Sequence, residues 1–321
     1  DVGFSIQQTT DEGYIICGFM SNPSGQFTSL IKTDVNGVEQ WFQTFGGPNF
    51  PGSNGRGHSV QQTSDGGYII TGSTYYGNGN TDVYLIKTDS IGNFEWDQTF
   101  GGEGNDYGNS VQQTLDGGYI ITGYKGNDCV LIKTDVNGVE QWSQIFDFCT
   151  EGNSVQQTIE GGYIITGETD EEDIGLIKTD ENGNLLWTRI FDGERGNSVQ
   201  QTTDGGYIIT GDWDVEGPQG VDNSIPLIKT DENGEEQWFQ IFGGEEFEEG
   251  GSSVQQTSDG GYIICGYTEE LVGQFSDGIK SIYLIKTDGQ GNITSTIELP
   301  TPTSKRELVK TTNILGQENT T

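Results

Sequence analysis

The sequence predicts an all-β protein, a six-bladed β-propeller built from four-stranded antiparallel blades. Three observations predict it. The 321 residues contain 51 Gly and no Ala, which disfavours helix throughout. One phrase, S-V-Q-Q-T-x-D-G-G-Y-I-I-T-G, recurs six times, starting at Ser5, Ser59, Ser110, Ser154, Ser198 and Ser253. Each copy then divides into four short β-branched and aromatic runs bounded by Gly, Asn and Asp.

The first run is S-V-Q-Q-T and the second G-Y-I-I-T-G; a D-G-G turn joins them, as in Asp65-Gly66-Gly67. The third run, Y-L-I-K-T-D, ends at Asp34, Asp89, Asp135, Asp180, Asp231 or Asp288. The fourth, Q-W-F-Q-T-F, begins around the Trp seven residues later: Trp41, Trp96, Trp142, Trp187 and Trp238. The sixth copy has Ser295 at that place. Between the third and fourth runs, Asn36-Gly37, Asn137-Gly138, Asn182-Gly183 and Asn233-Gly234 supply the positive φ of a tight hairpin, and Gly92 and Gly291 keep the Gly alone. Each unit is therefore a four-stranded meander.

The repeat steps are 54, 51, 44, 44 and 55 residues. Four strands in about 50 residues is the size of a propeller blade, whereas solenoid coils take about 20–30 residues. Six blades, starting near residues 1, 55, 106, 150, 194 and 249, fill residues 1–298 and are expected to close into one disc.

The D-x-N-G-x-x-x-W segment resembles the third-to-fourth-strand hairpin of quinoprotein-type propellers, in which a Trp docks adjacent blades. The whole unit resembles the G-G-Y-I-I-T-G repeats of secreted bacterial propeller proteins. Residues 299–321 differ. Leu299-Pro-Thr-Pro-Thr303 reads as a linker. Lys305-Arg-Glu-Leu-Val-Lys310 and Asn313-Ile-Leu-Gly-Gln-Glu318 then resemble the start of the C-terminal sorting domain of type IX secretion cargo, though the match is partial. That resemblance implies export by the secretion machinery to the medium or the outer cell surface; the competing reading is a strand that helps to close the ring. With no signal peptide at Asp1, a mature or trimmed form is expected.

Lys and Arg number 14 against 49 Asp and Glu, a net charge of −35, which argues against a nucleic-acid partner. No apolar run is long enough to insert in a membrane as a helix. In a meander, the first-to-second and third-to-fourth turns lie on one face of the disc. They are constant in length. The second-to-third loops vary, being long at Phe19–Ser29, Ser73–Val83, Asp212–Pro226 and Tyr267–Ile282, and so do the inter-blade connections. Binding concentrates in such loops, which makes this face the candidate site. It offers Tyr75, Tyr76, Asn78, Asn80, Tyr107, Phe148, Trp213, Phe247 and Phe275, with Arg56 and His58 as its few basic groups. Aromatics beside amides suit sugar rings; the bland alternative is loop packing.

Other constellations read as structural. The paired glutamines of the first strand are expected to bond within and between blades, because buried amides need partners. Lys32, Lys87, Lys133, Lys178, Lys229 and Lys286 are expected to pair with turn carboxylates. Calcium is the one cofactor the composition suggests, with Asp170, Glu172 and Asp173 as ligands, against the alternative of a solvated acidic surface; the spacing is not that of a helix–loop–helix calcium site. His58 is the only histidine, so a triad could exist only there. Cys17 and Cys265 occupy equivalent places in blades 1 and 6 and are expected to be small buried residues. A Cys129–Cys149 disulfide would fit an exported protein. The function expected is a secreted or cell-surface, non-catalytic binding or adhesion propeller, recognising a glycan or protein. A carbohydrate-active enzyme using two carboxylates on the same face is the alternative, and a structural component of an extracellular assembly the third.

Overall fold

The computed structural model describes residues 2–23, 25–46, 54–75, 80–217, 220–243, 247–270 and 279–300. Its strands form six separate four-stranded sheets, each in chain order and antiparallel throughout. In blade 1 the strands are Val2–Gln8, Tyr14–Asn22, Gly25–Thr33 and Glu39–Phe45. Blades 2 to 6 begin at Gly55, Asp106, Cys149, Arg195 and Phe247. The fold is a six-bladed β-propeller.

Each turn has a local cause. Gly66 and Gly117 adopt φ of 85°, which an L side chain resists. In the third-to-fourth turn, Asp34 Oδ1 accepts from the amides of Asn36 and Val38, both at 2.8 Å, so the repeated Asp caps the hairpin. The repeated Lys closes the first-to-second turn. Lys133 Nζ lies 2.9 Å from Asp116 and donates to the Thr134 carbonyl at 2.8 Å. Lys32–Asp11, Lys87–Asp65, Lys229–Asp204 and Lys286–Asp259 repeat the pair. Blade 4 has Glu160 in place of the Asp, and Lys178 donates instead to Thr158 Oγ1. Burial opposes ionisation of Asp116, but the Thr114 hydroxyl, the Lys133 ammonium and the Gly118 amide together hold it down at about 2.

Successive blades join through one repeated interface. Five apolar clusters occupy the five joins from blade 1–2 to blade 5–6. In each, the fourth-strand Trp of one blade meets the second-strand Tyr of the next, as in Trp41–Tyr68 at 5.7 Å and Trp142–Tyr163 at 5.9 Å between ring centroids. The same Trp covers the turn glycine of the next blade. A Cβ on Gly138 would fall 2.5 Å from Trp96, so only Gly fits under the indole. On the innermost strands, Gln7 Oε1 accepts from the Gln62 amide at 2.6 Å and Ser5 Oγ from the Val60 amide at 3.3 Å. The four following joins repeat both bonds. The glutamines thus bond between blades, as expected, although they are only half-buried or exposed.

The sixth join, expected from a closed disc, is not seen among the described residues. Among the described residues, no apolar cluster and no hydrogen bond of the repeated kind joins blade 6 to blade 1. The first-strand apolar residue is 5–6% exposed in Val60, Val111, Val155, Val199 and Val254, but Ile6 is 64% exposed. Cys17 is buried against blade 2, whereas Cys265 is exposed, correcting the expectation that both are buried. The cause is that Cys265 lies on the face of blade 6 that would meet the next unit. The expected long loops also differ. In blades 1, 5 and 6 the second and third strands continue pairing as far as Asn22–Gly25, Gly217–Gly220 and Glu270–Ile279, so these insertions are lengthened hairpins.

Candidate functional site: the channel mouth on the variable face

The innermost strands surround a central channel of about 530 Å³, lined by residues of all six blades, among them Gln7, Gln61, Gln112, Gln156, Gln200 and Gln255. These are the near-invariant part of the repeat. Toward the variable face the strands diverge in sequence. The residue before the repeated Ser is Phe4, His58, Asn109, Asn153, Asn197 or Ser252. Asn109 Nδ2 donates to the Gly152 carbonyl at 3.2 Å, Asn153 Nδ2 to Gly196 at 3.1 Å and Asn197 Nδ2 to Gly251 at 3.1 Å. His58 takes the same role: its Nδ1 lies 3.2 Å from the Gly108 carbonyl, which can only accept, so Nδ1 carries the proton. This column forms a partial hoop around the mouth.

The two halves of the mouth differ. Blades 1–3 present an aromatic row. Tyr124 stacks on Tyr107 with centroids 4.6 Å apart, Tyr107 lies parallel to His58 at 6.4 Å, and Phe4 meets the His58 edge at 5.4 Å. Phe4 stacks in turn on Phe19, and the Arg56 guanidinium lies 4.9 Å from the Phe19 ring centre. Burial pushes the His58 imidazole below its ordinary range, partly offset by its bonds to Gly108 and Asn109; the Arg56 charge adds to the lowering. Blades 4 and 5 present ion pairs and amides. Glu151 accepts from Asn109 at 2.7 Å. Buried Asp212 accepts from Arg195 Nε at 2.8 Å and from Asn197 at 3.1 Å.

The structure brings only some of the predicted residues together. Tyr107 is in the row. Tyr75 ends the second strand of blade 2, partly exposed. Trp213 lies apart, in the lengthened hairpin of blade 5, where it packs on Phe239 with centroids 4.8 Å apart. That pair lines a groove of about 280 Å³ with Ile190, Phe191, Asp192 and Glu236. Phe247 opens the first strand of blade 6 opposite Glu270. Tyr76, Asn78 and Phe275 lie outside the described residues. Asp170, Glu172 and Asp173 sit in a tight turn closed by Thr169 N to the Asp173 carbonyl, and among the described residues no three His, Cys, Asp or Glu side chains are grouped to hold a metal. Cys129 and Cys149 are brought together in the blade 3–4 cluster as free, buried thiols; a hydrogen bond to Cys129 and burial push the Cys149 thiol far up. Phe4, Phe19, Asn109, Asn153 and Asn197 escaped the sequence reading. For Phe4 and the three Asn the signal was present: their column varies inside a first strand that is otherwise nearly constant.

The chain matches no protein-family model and no curated sequence relative. In three dimensions it is similar to WD40 propellers. The Neurospora crassa Pan2 WD40 domain gives a TM-score of 0.55 at 12% identity, over 95% of this chain and 90% of that one. Chaetomium thermophilum Sqt1 gives 0.52 at 10% identity, over 92% and 72%, and the WD40 β-propeller domain of Doa1 gives 0.50 at 10% identity, over 82% and 88%. At such identities the likeness establishes the propeller fold.

Proposed function

We propose that this protein is a non-catalytic binding propeller acting outside the cell, with its ligand seated on the channel mouth of the variable face. One observation carries the reading: the sequence-diverse column of the first strand contributes Phe4 and His58 to a continuous aromatic row from Phe19 to Tyr124, edged by Arg56. Convergent polar groups beside aromatic surface are the usual make-up of a ligand site. The class that suits this row is a glycan, whose apolar ring faces stack on Tyr107 and Phe4 while its hydroxyls meet Arg56 and the amide-bearing half. His58 is held in a hydrogen bond to backbone and in ring contacts, and the mouth carboxylates Glu151 and Asp212 are engaged by Asn109 and Arg195, which supports binding over proton transfer.

Glycan-array binding tests this. Tyr107→Ala is expected to lower the signal at least about tenfold, the cost of removing a stacked aromatic anchor. Trp213→Ala, in the separate groove, is expected to leave the mouth signal intact. An array silent for the unaltered protein would remove the carbohydrate reading, and a loss with Trp213→Ala alone would move the site to the groove.

Export agrees with the tail resemblance in residues 305–318. An exported chain meets an external oxidant, and the neighbouring Cys129 and Cys149 thiols are then expected to become one disulfide, two electrons and two protons passing to that oxidant. Non-reducing peptide mapping of protein from the medium would show the linked peptides; thiols found free there would count against export.

A further inference from the structure

The unmatched flank of blade 1 is a finished socket. In the five formed joins, the face turned toward the preceding blade carries a first-strand apolar residue, a second-strand Tyr and Ile, and a turn glycine. Blade 1 has the whole set: Ile6, Tyr14, Ile16 and Gly37. Each counterpart of Gly37 (Gly92, Gly138, Gly183, Gly234 and Gly291) lies against the Trp of the blade before it, whereas among the described residues nothing lies within 4 Å of a Cβ built on Gly37. Tyr14 and Ile16 are half-exposed where Tyr68 and Ile70 are buried. Among the described residues the backbone is equally unmet: the Ile6 and Gln8 amides have no counterpart of the Ser and Gln acceptors that serve Val60 and Gln62.

Blade 6 does not carry the matching knob. Its fourth strand has Ser295 where the five blades that make a forward join have Trp. Its Ser253 and Gln255 accept no bond of the repeated kind among the described residues.

We propose that the blade 1 flank docks one further four-stranded unit of this same repeat, whose fourth-strand Trp seats on Tyr14 and over Gly37 and whose first-strand Ser and Gln accept from the Ile6 and Gln8 amides. The occupant's chemistry follows from continuity with five identical joins, and the missing indole of blade 6 makes blade 6 itself a poor substitute.

Two measurements test this. In the full chain alone, hydrogen exchange at Ile6 and Gln8 is expected to be at least about tenfold faster than at their counterparts Val111 and Gln113. Equal protection in a monomer by sedimentation would mean that this chain fills its own flank; equal protection in a dimer would mean that a second copy does. Either result overturns the proposal. In the second measurement, residues 195–248, with Trp238 in the fourth strand, are duplicated directly before residue 1 of the full chain. The added unit is expected to slow exchange at Ile6 and Gln8 to the level of Val111 and Gln113, and the same fusion with Trp→Ser in the added unit to lose most of that protection. Equal protection by both fusions would show that the socket does not select an indole and would sink the assignment. Should the fusion not fold, the exchange comparison in the unaltered chain still decides.

Discussion

The blade 3–4 join and the flank of blade 1 are built from the same residue types and behave differently. At the join, Tyr163 is buried beneath Trp142, Val155 is covered, and the Val155 and Gln157 amides are bonded across to Ser110 and Gln112. At the flank, Tyr14 and Ile6 stand partly in solvent, and among the described residues the matching amides lack those acceptors. Yet blade 1 is a complete four-stranded sheet with its Lys32–Asp11 pair in place. The comparison separates two levels of stabilisation. Ladder bonds, turn glycines and the Lys–Asp latch belong to one unit. The indole, the glutamine and the burial of both sheet faces belong to a pair of units, as in other linear repeats.

The sharpest way to break that distinction is Trp142→Ala. It empties a formed join and is expected to cost about 3 kcal/mol in denaturant unfolding. Ser295→Trp, on the face that makes no such join among the described residues, is expected to change stability by less than about 0.5 kcal/mol. Similar effects from the two would show that the indole acts within its own blade. Next in size is the latch. Lys133→Met removes the buried donor to Asp116 and the Thr134 carbonyl and is expected to cost about 2 kcal/mol at neutral pH. The folded Asp116 carboxyl sits at about 2, below its ordinary 3.8. Its contribution is therefore fully present above about pH 4 and is lost as pH falls through 2. Asp116→Asn should abolish that part of the acid dependence, read from unfolding midpoints across pH 2–6. The smallest perturbation is chemical: a thiol reagent should label Cys265 at least about tenfold faster than Cys17, its buried equivalent. Equal rates would mean that the blade 6 flank is covered in solution.

Most of the fold was legible in the sequence because it is written six times. The N-G turns, the latch Lys and the Trp each recur with a stereochemical reason. Ring closure was not legible, because the repeat count alone does not tell whether the last face fits the first; the departure at Ser295 was the clue, and its meaning needed the empty space over Gly37. The candidate site was half legible. Tyr107 and Trp213 were both found by their place in variable segments, but only register shows that the first joins Phe4 and His58 at the mouth while the second packs on Phe239 at a distance. The hairpin continuing through Trp213 to Gly217 carries the alternation of a half-buried strand in Asp212-Trp213-Asp214-Val215-Glu216, but its returning run Asp222-Asn223-Ser224 is polar throughout and hid it.

The direction of the bonds between first strands has a consequence for synthesis. In blades 1 to 5 the Ser and Gln accept from the unit that follows, and the Trp reaches forward onto the next Tyr. A chain emerging from the ribosome therefore presents every new repeat with an already shaped template, and growth proceeds by accretion onto a finished edge. Such a molecule gains a unit by tandem duplication, or loses one by deletion, without redesigning its neighbours.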